Sequence, residues 1–425
     1  MEESLLHRIS EGVHDMCYIW SREIKATVKD EGVLIFFILV PLLYPLLYAW
    51  IYNAEVVRDV PVTVVDMSHS AQSREFIRLY DASPDVHVKY HSNNLEEAKG
   101  LIGKQAVHGV IYIPANFATR LMSGEQAHVS VYCDMSIMLY YKAVYQSASN
   151  VSSKMSARLQ VAKSGNFTDR DDEITVKPLD YEEVPIFNPA GGYADFILPG
   201  VLILILHQTL LLGIGLSAGT ARENNRYRDL VPVSRHYNGI FRIVLGKSMS
   251  YFMIYAVMTA YVTICVPRLF DIIQLAHFGD LAVFLLPFLL SAVFFGMTLS
   301  CVIRYRENIM LLVVFTSVPL LFLSGVLWPQ SNMPGFWRVL ACFFPSTFGI
   351  RGFVRLNTMG ATLADIRQEY MALWAQTLVY FFTTCAVYRY QIIRARRHAI
   401  ASLRRMKDNV TLAKVHRMVV EDGKE

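Results

Sequence analysis

Gly246-Lys247-Ser248 is the place in this sequence that most resembles a nucleotide site. A phosphate-cradling loop needs GxxxxGK[ST] between a strand and a helix, so that backbone N–H groups and the lysine surround the phosphates. Here Phe241 stands where the first glycine belongs, and Gly239 falls two residues too early. The segment also opens an apolar run instead of closing a strand. ATP is therefore not expected to bind this chain. Hydrolytic or metal chemistry finds no better footing. HExxH and paired-carboxylate patterns are absent, and His69, His87, His91, His108 and His128 fall on different predicted elements. The cysteines, at 17, 133, 265, 301, 342 and 385, form no CxxC pair or Cys/His cluster and read as isolated packing residues. His207 and Gln208 are different. They interrupt the run LILILHQTLLLG, where polar groups are costly unless they face protein or water. They read either as the lining of a route through the membrane or as helix–helix hydrogen bonding.

What must position such residues is a membrane-embedded frame. The chain has 425 residues, 53% hydrophobic and 18% charged, against about 25% charged in a soluble domain. A net charge of +4 gives no reason to expect a nucleic-acid partner. Glu2, Glu3, Glu11, Asp15 and Glu23 among the first residues argue against a secretory signal, so the first apolar run is expected to stay in the mature protein. About 20 apolar residues cross the hydrocarbon, and six segments approach or meet that length: 33–52, 196–216, 248–266, 281–303, 309–327 and 370–388. With six spans, the Lys- and Arg-rich segments fall on one side, expected to be the cytoplasm. These are residues 1–32, the link holding Arg222 to Lys247, Arg304 with Arg306, and the basic tail 391–425. Both termini are then cytoplasmic.

The expected fold class is a mostly α-helical membrane protein: six transmembrane helices plus an α/β extracytoplasmic domain at 53–193, inserted between helices 1 and 2. In that insert PVTVVDMS, VHVKYH, HGVIYIP and HVSVYCD read as strands. SREFIRLY, LEEAKGLIGK and a long segment from about Ser136 to Ala162 read as helices. SGNFTDRDDE reads as a polar loop and ITVKPLDYEEVPIFNP as extended chain. Residues 1–32 carry apolar positions at helical spacing and read as an amphipathic helix, either in the interface or packed on protein. After the fifth span, LSGVLWPQSNMPGFW breaks the apolar register with Pro329 and Pro334, and Pro345 follows. Non-helical backbone at membrane depth must be satisfied by protein or water. Segment 328–356 is therefore expected to dip back into the membrane, with Trp328 and Trp337 at its interface.

Three stretches, each at a matching topological position, resemble the type-2 ABC exporter permeases. They are Arg222-Glu223 with Leu230-Val231-Pro232-Val233-Ser234 and Gly246-Lys247; Leu323-Ser324-Gly325 with Pro329, Met333-Pro334, Pro345 and Arg351 or Arg355; and Val62–Asp66 with Ser73-Arg74. The chain departs from the family at Asn224–Tyr227, where a Gly-Thr pair is common. The resemblance implies the permease subunit of an ATP-driven exporter in a bacterial inner membrane, with no cofactor of its own. ATP and Mg would sit on a separate ABC ATPase docked on segment 221–247. It also implies a second permease copy and, given the large insert, a periplasmic adaptor and an outer-membrane channel. Coupling would fall to Arg222, Glu223, Asp229, Leu230 and Pro232. The outer re-entrant gate would use Gly325, Pro329, Met333, Pro334 and Pro345, and His207 and Gln208 would line the pathway. Drugs, bile-type amphiphiles, lipids and glycan precursors all remain open as substrates. A non-transporting receptor or scaffold with a large outer domain is the competing reading.

Overall fold

The computed structural model describes residues 5–53, 56–165, 167–179, 184, 186–188, 192–224, 239–300, 302 and 305–422. The chain divides into two compact units, one formed by residues 1–53 with 193–425 and the other by 54–192.

The first unit is a helical bundle. Helix α1 (Leu5–Lys29) ends at Asp30, whose extended backbone and side chain start a new helix. The Asp30 carboxylate accepts the Gly32 and Val33 N–H groups at 3.1 and 3.2 Å, as an N-cap should. Six helices among the described residues are long and apolar enough to cross a membrane. The first span is α2 (Glu31–Tyr52), with one π-helical turn at Ile35–Leu39. The others are Tyr193–Glu223, Ile240–Leu269, Phe278–Ser300, Arg306–Leu323 and Arg367–His398. All six overlap the apolar runs of the sequence; most ends run past them, the sixth on to His398, while the fourth and fifth stop at Ser300 and Leu323, short of the expected 303 and 327. The last belongs to a helix that continues without a break to Asp422. The second span lies at the centre: 83% of its apolar window is buried, against 22% for the fifth and sixth. The core gathers around it, with Phe37, Tyr251, Tyr255, Phe284 and Phe288 all enclosed.

The second unit is an α/β insert. Strands β1 (Val60–Asp66), β2 (Val86–His91), β3 (Gly109–Ile113) and β4 (Ser130–Cys133) form one sheet in the order β2-β1-β3-β4. β1 runs parallel to β2 and β3, and β4 is antiparallel to β3. Helices α3 (Ala71–Asp81) and α4 (Leu95–Gly103) supply the crossovers that parallel pairing requires. After the short α5 (Phe117–Ser123), the 27-residue α6 (Met138–Ser164) lays Val144, Ala148, Val151 and Met155 on the core. The polar segment expected as a loop is instead partly helical: α7 (Asp169–Val176) takes in the first residues of the stretch expected to be extended. Thr168 accounts for it, since its hydroxyl accepts the Asp171 N–H at 3.2 Å and three aspartates occupy the first turn.

In the bundle, the spans after the insert are α8 (Tyr193–Glu223), α9 (Ile240–Leu269), α10 (Phe278–Ser300) and α11 (Arg306–Leu323). Two shorter helices follow, α12 (Gly335–Ala341) and α13 (Pro345–Asn357), bent by 88° at their junction, and then α14 (Arg367–Asp422).

Candidate functional site

Helix α1 packs on the third span, α9, at the Gly-Lys-Ser segment. A Cβ on Gly246 would lie 2.9 Å from the Met16 carbonyl oxygen and 3.0 Å from the Ile19 side chain, so only glycine permits this approach. The next residue, Lys247, reaches both carboxylate oxygens of Glu23 at 2.8 Å. Ser217 donates to the same carboxylate at 3.3 Å, and the Tyr251 hydroxyl donates to it as well. Ser250 donates to the Trp20 carbonyl at 3.1 Å. The residues that imitate a phosphate loop therefore hold a helix. Two more ion pairs extend the clasp. Arg242 meets Asp15 at 2.6 Å, and Arg306, opening the fifth span, meets Asp30 at 2.9 Å while Thr220 donates to the other Asp30 oxygen. Helix α1 and its junction are thus fastened to the ends of the second, third and fifth spans.

Burial opposes ionisation of Glu23, yet the Lys247 charge and the hydrogen bonds from Lys247, Tyr251 and Ser217 outweigh it and hold the carboxyl below its ordinary range. Asp30 follows the same logic. Burial pushes it up, and the bonds from Thr220, Val33 and Arg306 bring it below its ordinary value.

Among the residues expected to couple to a motor, Arg222 and Glu223 end the second span. Arg222 is buried and Glu223 is exposed. Asp229, Leu230 and Pro232 lie outside the described residues.

The proline-broken stretch forms one connected device. Gly325 follows α11 with φ +93°, a left-handed conformation that suits glycine. Pro329 leads into a 3-10 turn at Gln330–Asn332, Met333 is buried, Pro334 caps α12 and Pro345 opens α13. α13 then runs back along α10, with Gly352 against Phe284, Gly349 against Phe288 and Phe344 against Phe295. The bend between α12 and α13 accordingly sits about 26 Å along α10, taking about 1.5 Å per residue. The backbone freed at that bend is satisfied from the sixth span: Gln376 donates to the Cys342 carbonyl at 2.7 Å and Tyr380 donates to that of Phe343. Both carbonyls are thus satisfied inside the protein. At the far end of α13, the buried Glu369 accepts from Arg355 at 3.1 and 3.2 Å, with Arg351 at 3.7 Å.

His207 and Gln208 share the middle of the second span but face different surroundings. His207 is enclosed, with its ring 5.9 Å from Phe295. Phe295 in turn meets Phe344 and Tyr380 beside the bend. Gln208 lines a groove of about 570 Å³ between the first, second and fifth spans, together with Tyr44, Tyr48, Thr209 and Ser317.

Sequence reasoning missed Glu23 and its partners. The signal was present in the stripe Asp15, Ile19, Glu23 and Thr27, spaced i, i+4, where two acids share a face with a core residue. All four are buried.

The family described as ABC-2 family transporter protein matches residues 32–386. No curated protein matches the chain.

Proposed function

The chain belongs to the ABC-2 transporter family, and from that premise we propose that it is the permease subunit of an ATP-driven exporter in a bacterial inner membrane. Two copies form the pathway, and a separate ABC ATPase supplies ATP and Mg. The basic ends of the spans face the cytoplasm, and the insert faces outward, where it meets a periplasmic adaptor and an outer-membrane channel. The ATPase docks on the link between the second and third spans and touches α1. Glu223, exposed at the end of the second span, makes the motor contact, while Arg222, buried beside it, holds that end in place.

The observation that carries this reading is the clasp. An ATPase pressing on α1 would move the ends of three spans together, because Asp15, Glu23 and Asp30 join it to Arg242, Lys247 and Arg306. Binding energy that differs between two arrangements of those ends is what couples ATP to transport. The bent pair α12–α13 enters from the other end and reaches deep along α10 as the outer gate, and the Gln208 groove forms part of the pathway wall.

The test is purification of the tagged chain from its native membrane in mild detergent, with an ATPase assay on what accompanies it. A stoichiometric ATPase that is lost in Glu223→Ala, while the permease stays folded, supports the assignment. Recovery of intact dimers without a nucleotide-hydrolysing partner would move the chain to the class of receptors or scaffolds.

A further inference from the structure

We propose that the loop joining β4 to α6 in the insert is a lipid-contacting tip: Met135, Ile137 and Met138 enter the headgroup region of the bilayer, with Tyr141 and Tyr145 at its boundary. The proposal asks only that the six spans lie in a membrane and is independent of export.

The tip is apolar and open to its surroundings. Met135, Ile137 and Met138 are 65%, 44% and 69% exposed, and Tyr145 is 52% exposed. No charged residue stands between Asp134 and Lys142, an interval that reads MSIMLYY. Met138, Tyr141 and Tyr145 share one face of α6 by their helical spacing, and the two tyrosine rings stack with centroids 5.7 Å apart. Tyrosine is suited to a membrane boundary, because its ring can sit among apolar groups while its hydroxyl stays wet. The root of the loop is fixed. The Asp134 carboxylate accepts the Ser136 N–H at 2.9 Å and meets His108 Nδ1 at 3.3 Å, and the His108 ring packs on Tyr140 at 4.0 Å. An exposed group of this composition marks a contact surface.

Sheet topology identifies what the surface meets. β1 is parallel to β2 and β3, while β4 is antiparallel and pairs Cys133 with Gly109. The tip therefore leaves the sheet at the end where Val60, Val86 and Gly109 begin their strands. Helix α6 agrees with this sense. Its early Val144 carbonyl accepts from the Tyr80 hydroxyl, near the end of α3, at 3.2 Å, and its later Arg158 meets Glu75, near the start of α3, at 3.0 Å. That end of the sheet is also the one the chain reaches first from the membrane. Only residues 53–59 separate the first span from β1, and such a linker covers at most about 25 Å even when fully extended. A short tether, an apolar loop at the tethered end and tyrosines behind it together form an interfacial anchor. The opposite end of the sheet is polar there, where Asp66, Ser68, Ser70 and Ser73 hydrogen-bond with one another.

The experiment uses the full chain in vesicles of phosphatidylethanolamine and phosphatidylglycerol. The photoreactive residue p-benzoylphenylalanine stands in place of Met138 or, as a control, of Met67. Met67 is also an exposed methionine, at 44%, and it directly follows β1 at the opposite end of the sheet. After irradiation, mass spectrometry reads whether the label has joined phospholipid, another part of the chain or a second copy. The Met138 position should give phospholipid adducts severalfold above the Met67 position. The same label in place of Ile137 should behave alike, and it decides the matter if the Met138 variant fails to fold. Met135→Ser with Met138→Ser should lower the adducts formed from the Ile137 position severalfold, because the tip then loses most of its apolar surface. Equal phospholipid adducts at the two ends of the sheet, a covalent dimer in place of lipid, or joining to the chain's own spans would overturn the proposal.

Discussion

Replacing Lys247 by methionine removes an ammonium and keeps most of the side-chain volume. Glu23 then faces only Tyr251 and Ser217 in a pocket where its side chain is 9% exposed. An unpaired buried carboxylate costs about 3–5 kcal/mol. Glu23 can escape part of this by taking up a proton. From its ordinary value of 4.5, protonation near pH 7 costs about 3.4 kcal/mol at about 1.4 kcal/mol per pH unit. The same step costs about 1.4 kcal/mol near pH 5.5. The variant should thus be less stable than wild type by about 3 kcal/mol at neutral pH. In the variant the folded carboxyl sits above its unfolded value, so its contribution is full below 4.5 and lost as pH rises. In wild type the folded carboxyl sits below 4.5, so the pair contributes fully above that value and is lost as pH falls through the folded one. The gap between the two proteins should therefore close on acidification. Unfolding of both in one detergent, followed from neutral to mildly acidic pH, measures it. Glu23→Gln with Lys247→Met should recover most of the loss, because no charge is then left alone. A gap that does not change with pH, or a double variant as unstable as the sum of the singles, would refute the buried-pair reasoning.

Gly246→Val should lift α1 from the third span, because its Cβ meets a backbone oxygen that cannot move aside. About 1–3 kcal/mol of stability should be lost, read as faster proteolysis around Lys25 and Lys29. Gln376→Leu strips the Cys342 carbonyl of its donor at the α12–α13 bend and should lower stability by about 1–3 kcal/mol, measured by thermal unfolding. Glu369→Gln should have a milder effect, about 1–2 kcal/mol, because Arg351 and Arg355 are partly solvated and screened. Its melting point should lie above that of Lys247→Met.

The six spans and the four strands were legible because each signal is local. A run of about 20 apolar residues or an alternation over five declares itself without reference to anything distant. Thr168 followed by Asp171 was also a local signal, masked by the density of polar residues around it. Glu23 was not legible in the same way. Its partners lie 194 and 224 residues along the chain, and no window contains them. The Gly-Lys-Ser segment shows the same limit from the other side. Sequence could reject it as a phosphate loop, but the reason for its residue types is the approach of a helix from the far end of the chain. His207 and Gln208 were read together because they are adjacent. Successive helix positions point about 100° apart, which is enough to give one residue to the core and the other to a groove.

The clasp also sets an order of assembly during synthesis. Lys247 follows Glu23 by 224 residues, and Arg306 follows Asp30 by 276. At about 5–20 residues per second, those cations leave the ribosome roughly 10–50 s after the acids they neutralise. Through that interval α1 cannot seat, and Asp15, Glu23 and Asp30 stay in water, where carboxylates are at ease. Helix α1 is made long before the residues that hold it in place. A chain that stops short of the third span would carry it unfastened, a mark by which quality control could tell an unfinished protein from a complete one.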